Sequence, residues 1–298
     1  MKFYIADAFT KELFGGNPAG VVILPEDRDF PSDETMRKTA AELRYSETAF
    51  IKVLGNNEFQ IRYFTPAAEV DLCGHATIAS FYSMAKAGLI TANKDSLAHT
   101  LAGDINVSVE FANGEPTFVM MDMAEPKHIA SIQDAIELDR LYDILGSEFD
   151  QSLGLFPMII STGLPDIILP VSNEAELNNL SPDFPALTKL SQAYGVTGVH
   201  AFAFDSEGSP DYDINCFARN FAPLYEIDEE AATGTANGAL TFYLCLNEKI
   251  GTQAGCRIVQ GKAMGRPSEI LTTINAGETC KIRVGGTAQI LAEGEINI

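Results

Sequence analysis

Apolar and polar positions alternate with a period of two over Phe3–Phe9, Ala19–Leu24, Ala49–Val53 and Glu58–Phe64, the pattern of half-buried strands rich in β-branched and aromatic residues. Between the second and third of these, SDETMRKTAAEL changes to a helical composition, with Ser32 placed to cap it. A further helix is expected after Gly74, and further strands over Asp104–Phe111 and Pro116–Met123. The segment MAEPKHIASIQD, with Pro126 near its start, reads as a transition. After it the order recurs: a strand over Asp166–Val171, a helix over Phe184–Tyr194, a hairpin of Val199–Phe204 and Asp211–Phe217, and a long helix over Gly234–Leu246.

Set side by side, ETAFIKV matches VHAFAFD, FQIRYFTP matches YDINCFARNFAP, and LCGHATIA matches ATGTANGA, in the same order along the chain. The second copy is longer between its matches, a difference that loops absorb more readily than strands. The expected organisation is a diverged internal duplication. Its N-terminal half covers residues 1–122 and its C-terminal half 123–298, with a return of the last strand, about 287–298, to the first half left open.

Composition narrows the function. A chain of 298 residues, 46% hydrophobic and 20% charged, is an ordinary globular protein with room for two domains. Its formal charge of −21 repels a phosphate backbone, so neither nucleic acid nor a membrane surface is an expected partner. MKFYIADAFT lacks an apolar core of signal-peptide length, and no run approaches the roughly 18 apolar residues of a membrane span, so a cytoplasmic protein is expected. Cys73, Cys216, Cys245, Cys256 and Cys280 form no C-x-x-C pair, and no disulfide framework is expected. His75, His99, His128 and His200 show no compact ligand spacing, so no metal site is expected. The absence of a nicotinamide fingerprint or a Walker loop leaves no expected cofactor.

The chemistry concentrates in VDLCGHATIASFYSMA and EEAATGTANGALTFYL. A helix that opens on glycine lets a ligand approach its first turn, where unmade N–H donors favour an anion. Gly74 and Gly234 hold that position, and related halves would turn both mouths toward one cleft able to hold a carboxylate or a developing enolate. For either glycine alone, a tight turn with close packing is an equal alternative. Glu47, at the entrance to an apolar strand, is either a solvated turn acid or a base whose pKa burial raises. His75 reads as a donor to a ligand or as a satisfied helix-start residue, and Cys73 as a reactive thiol or as packing. Glu230 has Glu229 beside it, one of the two being read as solvated; Asn17 reads as a turn residue with the option of helping to close the site, and Asp71 as an exposed acid with the option of orienting His75.

The paired motifs resemble the diaminopimelate epimerase and proline racemase superfamily, in which each half places a cysteine at such a mouth. Here Thr233 stands opposite Cys73, which points to the PhzF-like branch. That resemblance runs through DAFTKELFGGNPAGVVIL, LRYSETAFI, IRYFTPAAEVDLCGHATIA, NFAPLYEIDEEAATGTANGA and VGGTAQILAEGEI. It implies an α+β, diaminopimelate epimerase-like fold of two pseudo-symmetric halves, each a curved, mostly antiparallel sheet around a central helix. The implied activity is a cofactor-independent isomerase of a biosynthetic process, moving a proton on a small carboxylate-bearing metabolite in the cleft between the halves. Glu47, His75 and Glu230 are the implied catalytic residues, and Gly74, Gly234, Thr235 and Cys73 line the ligand. The chain departs from the family's Glu-Asp-Pro-Ala-Thr-Gly-Ser in reading Glu230 for aspartate and Ala231 for proline. An epimerase or racemase using Cys73, and a non-catalytic member binding a metabolite or a protein, are the alternatives; a homodimer is left open. Gly285-Gly286 resembles a family turn between strands and receives no chemistry.

Overall fold

The computed structural model describes residues 1–92 and 94–298. The chain divides into two units, Met1–Asp122 with Gly285–Ile298, and Met123–Val284.

In the first unit, strand Lys2–Ala8 pairs antiparallel with Ala288–Glu295 on one side and with Asn17–Ile23 on the other. Helix Asp33–Leu43 then returns the chain so that Thr48–Gly55 lies parallel to Asn17–Ile23. Ser32 caps this helix by accepting a hydrogen bond from the Thr35 amide, as the sequence predicts. Glu58–Phe64 follows antiparallel. A second helical return, Gly74–Lys86, brings Ser96–Thr100 parallel to Glu58–Phe64, and Gly103–Ala112 and Glu115–Asp122 complete the ladder. Helix Gly74–Lys86 is buried from His75 to Ala85. It packs against strands from both ends of that order, Ala288–Glu295 and Glu115–Asp122 included, so the sheet curls around it. Ala76 and Ala79 let backbones close in, while Phe81 meets Phe59 edge to face at 5.6 Å. Helix Asp33–Leu43 covers the opposite sheet face, where Met36 and Ala40 pack on Val22, Phe50 and Phe64.

The second unit uses the same order of pairings. Met158–Ser161 is antiparallel to Pro165–Pro170, which is parallel to Gly198–Phe204 across helices Glu174–Asn179 and Phe184–Tyr194. Ile214–Ala222 runs antiparallel, and helix Gly234–Leu246 carries the chain to Gln253–Gln260, parallel to it; Ser268–Ala276 closes antiparallel. A helix beginning Gly-Thr-Ala-Asn-Gly has poor intrinsic propensity, and burial overrides it. A Cβ on Gly238 would stand 3.1 Å from Thr162 Oγ1, so glycine sets how close this helix approaches the strand before it. Helices Ala135–Ile144 and Phe184–Tyr194 place Leu138, Leu141, Leu187 and Leu190 over Ile167, Leu169 and Val199 on the other face.

Three expectations change. The second hairpin arm begins at Ile214 and runs to Ala222, because Asp211–Asp213 belongs to a turn held by the Ser209 hydroxyl and the Asn215 side chain. Gly285-Gly286 is no turn: both lie in strand Cys280–Gly286, and a Cβ at Gly285 would stand 2.3 Å from Val119 O. MAEPKHIASIQD contains a strand, Lys127–Ser131, paired with Met158–Ser161, and ends on Asp134, the cap of the following helix. Among the described residues no helix is long and apolar enough to cross a membrane.

Candidate active site

Parallel strands that begin side by side place their first residues at one end of the sheet. Gly20 lies opposite Thr48 in the first unit, which brings Asn17 and Glu47 to the mouth of helix Gly74–Lys86. Glycine is required at position 20, where a Cβ would stand 2.9 Å from Thr48 Oγ1. The mouth is pinned from below. Tyr63 Oη and Thr77 Oγ1 lie 2.7 Å apart, and the Thr77 hydroxyl donates to Cys73 O at 2.7 Å.

His75, only 3% exposed, is the hub. Its Nε2 lies 3.2 Å from Glu47 Oε2 and 3.3 Å from Ser46 Oγ; its Nδ1 lies 3.1 Å from Asn17 Nδ2 and 3.4 Å from Cys73 Sγ. Glu47 keeps 14% of its side chain exposed, yet Oε2 itself is shielded from solvent and forms no aligned hydrogen bond, so its contact with His75 is an ion pair. Burial, the largest single influence, pushes Glu47 up. The hydrogen-bonding reach and charge of His75, with Ser46 and Cys73, together outweigh it and hold the carboxyl below its ordinary range. The expectation of a raised Glu47 pKa is therefore corrected. For His75 burial disfavours the cation, but Cys73 and Glu47 outweigh it and leave the imidazole well above its usual value. Burial, aided by the Glu47 charge, pushes the Cys73 thiol up to about 11, so near neutral pH it is a thiol and the charged pair is Glu47 with His75. No side chain makes a capping hydrogen bond at the start of the helix.

Asn17 is not the turn residue read from the sequence: it opens strand Asn17–Ile23 and touches His75. Asp71 is exposed, and its carbonyl accepts from Ala102.

The second mouth is built differently. Thr233 occupies the cap position of helix Gly234–Leu246 without capping it; its hydroxyl donates to Glu230 Oε2 at 2.5 Å and accepts from Gln260 Nε2 at 3.1 Å. Gln260 holds the loop, donating to Glu230 O at 2.7 Å and accepting from Asn237 at 2.7 Å. Behind it stands His200, fully buried, with Asn237 Oδ1 at 3.2 Å from Nε2 and Asn220 Nδ2 at 3.2 Å from Nδ1. Burial drives its pKa down to about 4, so it is a neutral part of the framework. Thr235 lies just inside the mouth, its carbonyl accepting from the Thr162 hydroxyl. Glu229 is not solvated: Arg219 grips both its oxygens, at 2.9 and 2.8 Å. Sequence reading missed Asp166, whose carboxyl is buried with Oδ1 lacking a hydrogen-bond partner. Burial first, and then the charge of Glu230, pushes it up to about 8. A lone acid inside an apolar strand leaves no trace in the sequence beyond its own misfit.

The phenazine biosynthesis-like protein family (PhzC-PhzF) matches residues 6–294. A relative from Escherichia coli K12, named an uncharacterized isomerase, YddE, is 33% identical over 98% of this chain and 97% of its own length. The chain therefore belongs to the phenazine biosynthesis-like family, and it is an enzyme of the isomerase class for which such relatives are named. The fold agrees: the Bacillus anthracis phenazine biosynthesis protein of the PhzF family superposes with a TM-score of 0.85 at 24% identity, covering 100% of this chain and 99% of that one. More distantly, a hydroxyproline epimerase from Agrobacterium vitis, solved with trans-4-hydroxy-L-proline, shares the fold at a TM-score of 0.64 and 11% identity, over 99% and 91% of the two chains.

Proposed function

We propose that the chain is a cofactor-independent isomerase that moves a proton on a small carboxylate-bearing metabolite, with Glu47 as the base. The observation that carries this is the Glu47 Oε2 atom: shielded, without an aligned hydrogen bond, and 3.2 Å from a buried imidazole at an uncapped helix mouth. A carboxylate held ionised by its partner is ready to accept a proton near neutral pH, and His75 moderates the charge that the base loses and regains. The N–H groups after Gly74 suit the substrate carboxylate or the enolate formed when the C–H bond breaks. Glu230, which keeps partial exposure and accepts from Thr233, is assigned the positioning or protonation of substrate, with Gly234 and Thr235 as its neighbours. The high pKa of Cys73 supports a packing and polar-contact role for the thiol over that of a second base.

A panel of small carboxylic acids incubated with the protein in deuterium oxide tests the reading. An isomerase of this kind incorporates solvent deuterium at carbon for at least one class of acid. If acids raise the melting temperature yet none exchanges a C–H proton, the chain is a binding protein and the assignment of Glu47 is wrong.

A further inference from the structure

Cys73 Sγ, one ring nitrogen of His75 and a Glu47 carboxylate oxygen lie within 4.8 Å of one another. The pairwise distances, 3.2 Å for Glu47 Oε2 to His75 Nε2 and 3.8 Å for Cys73 Sγ to the same nitrogen, are those of neighbouring ligands on one ion. Donors about 2.0–2.3 Å from a tetrahedral zinc stand roughly 3.3–3.8 Å apart. One further feature fits: Oε2 has no aligned hydrogen bond to give up. The thiolate, imidazole and carboxylate set suits a borderline-soft divalent ion, and the exposed edge of Glu47 provides the approach.

We propose that Cys73, His75 and Glu47 form a binding site for a zinc-type divalent cation, with a fourth position left to water, and that its occupation shuts off the enzyme. On coordination the thiol proton, and the proton on the ligating nitrogen, pass to solvent; nothing is oxidised or reduced. Binding stands on the three side chains alone. The inhibition rests on the reading of Glu47 as the base, since the metal takes the lone pair that would receive the substrate proton.

The test titrates the whole protein with Co2+ in a phosphine-reduced buffer and follows thiolate-to-cobalt charge-transfer absorption. Wild type is expected to develop the band to saturation and to lose it when Zn2+ displaces the cobalt. Cys73→Ser should lose the band while its melting temperature holds or rises, whereas a Cys245→Ser, Cys280→Ser double variant should keep it. No band in wild type, or a full band in folded Cys73→Ser, overturns the site. Should Cys73→Ser fail to fold, Glu47→Gln carries the test: Co2+ affinity should drop about tenfold or more, and an unchanged affinity overturns the site. Zn2+ should also stop deuterium uptake, with recovery on chelation. Protein that binds Co2+ as described but exchanges no acid supports the metal site and sinks the isomerase reading alone.

Discussion

The two helix mouths share a scaffold and differ in what it carries. In each, an arginine two residues before a phenylalanine grips a glutamate on the short strand leading to the helix: Arg62 with Glu69, and Arg219 with Glu229. Each guanidinium also lies over its phenylalanine, Phe64 or Phe221. The residue after each glutamate, Val70 or Glu230, pairs across to the neighbouring strand. At the helix start, Cys73-Gly74-His75 in the first unit stands where the second has Thr233-Gly234-Thr235. Matching ETAF with VHAF sets Glu47 against Val199, which is fully buried. Among the described residues, a carboxylate paired with an imidazole therefore stands at the first mouth, whereas the second offers a carboxylate bound to a hydroxyl. Two similar frames supply two helix termini, and differences at a few positions give each a different proton inventory.

The sharpest way to break this comparison is to remove each carboxylate in turn. Glu47→Gln keeps the volume but removes the proposed base, and deuterium uptake is expected to fall by about 10²–10⁴-fold in a folded protein. Glu230→Gln should retain C–H exchange while slowing product formation, because abstraction does not pass through it. Equal losses of exchange in the two variants would erase the distinction between the mouths.

The shared arginine pairs differ next in depth. Arg219 also donates to the carbonyls of Leu177, Asn178 and Leu180, tying the end of helix Glu174–Asn179 to the sheet. Arg62 adds an exposed acid, Asp33, and the ring of Phe30. Arg219→Ala leaves Glu229 and three carbonyls without their donor and should cost about 3–5 kcal/mol in urea unfolding, against about 1–2 for Arg62→Ala. The reverse order would show that the two pairs are not equivalent parts of one frame.

Much of this frame is legible in the sequence. Period-two strands, Ser32 as a cap, and the recurrence of CGHAT as ATGTAN gave the two central helices and the mouths that they open. Short or two-faced strands were not legible: Ser96–Thr100 and Met158–Ser161 have too few residues for alternation to stand out, and Lys127–Ser131 is exposed throughout. The geometry around the candidate residues was only partly legible. Glu47, His75 and Glu230 were named as candidates from motif resemblance, but electrostatics belongs to three-dimensional neighbours. The proximity of His75, with Ser46 and Cys73, turns Glu47 from an acid raised by burial into one held ionised. The contacts of Asn17 and the pairing of Glu229 were hidden because their partners are distant in sequence: His75 is 58 positions from Asn17, and Arg219 is 10 from Glu229.

Asp166 gives a pH-dependent contrast with Glu47. Its folded pKa of about 8 lies above the unfolded value near 3.8, so the native state holds a proton that the unfolded chain releases. Its contribution to stability is complete below pH 3.8 and is lost as pH rises through 8. Glu47, depressed when folded, contributes in the opposite sense, losing its part as pH falls through its folded pKa. Relative to Asp166→Asn, the wild type should lose about 3 kcal/mol between pH 6 and pH 9 by urea denaturation. Parallel stability profiles for the two proteins would mean that Asp166 is already ionised in the native state.

The smallest effect expected is that of the residue which most distinguishes the two mouths by type. Cys73→Ser changes the first cap toward the hydroxyl chemistry of Thr233. With a thiol pKa near 11, sulfur is protonated near neutral pH and transfers no proton in the proposed step, so deuterium uptake should fall by less than about tenfold. Stability should hold or rise by up to about 1 kcal/mol, because serine can cap the helix that cysteine leaves uncapped. Measured side by side with Glu47→Gln under one set of conditions, the two variants separate a carboxylate base from a thiolate base. A loss from Cys73→Ser as deep as that from Glu47→Gln, in a folded protein, would return the thiol to the chemistry and make the first mouth a two-base site.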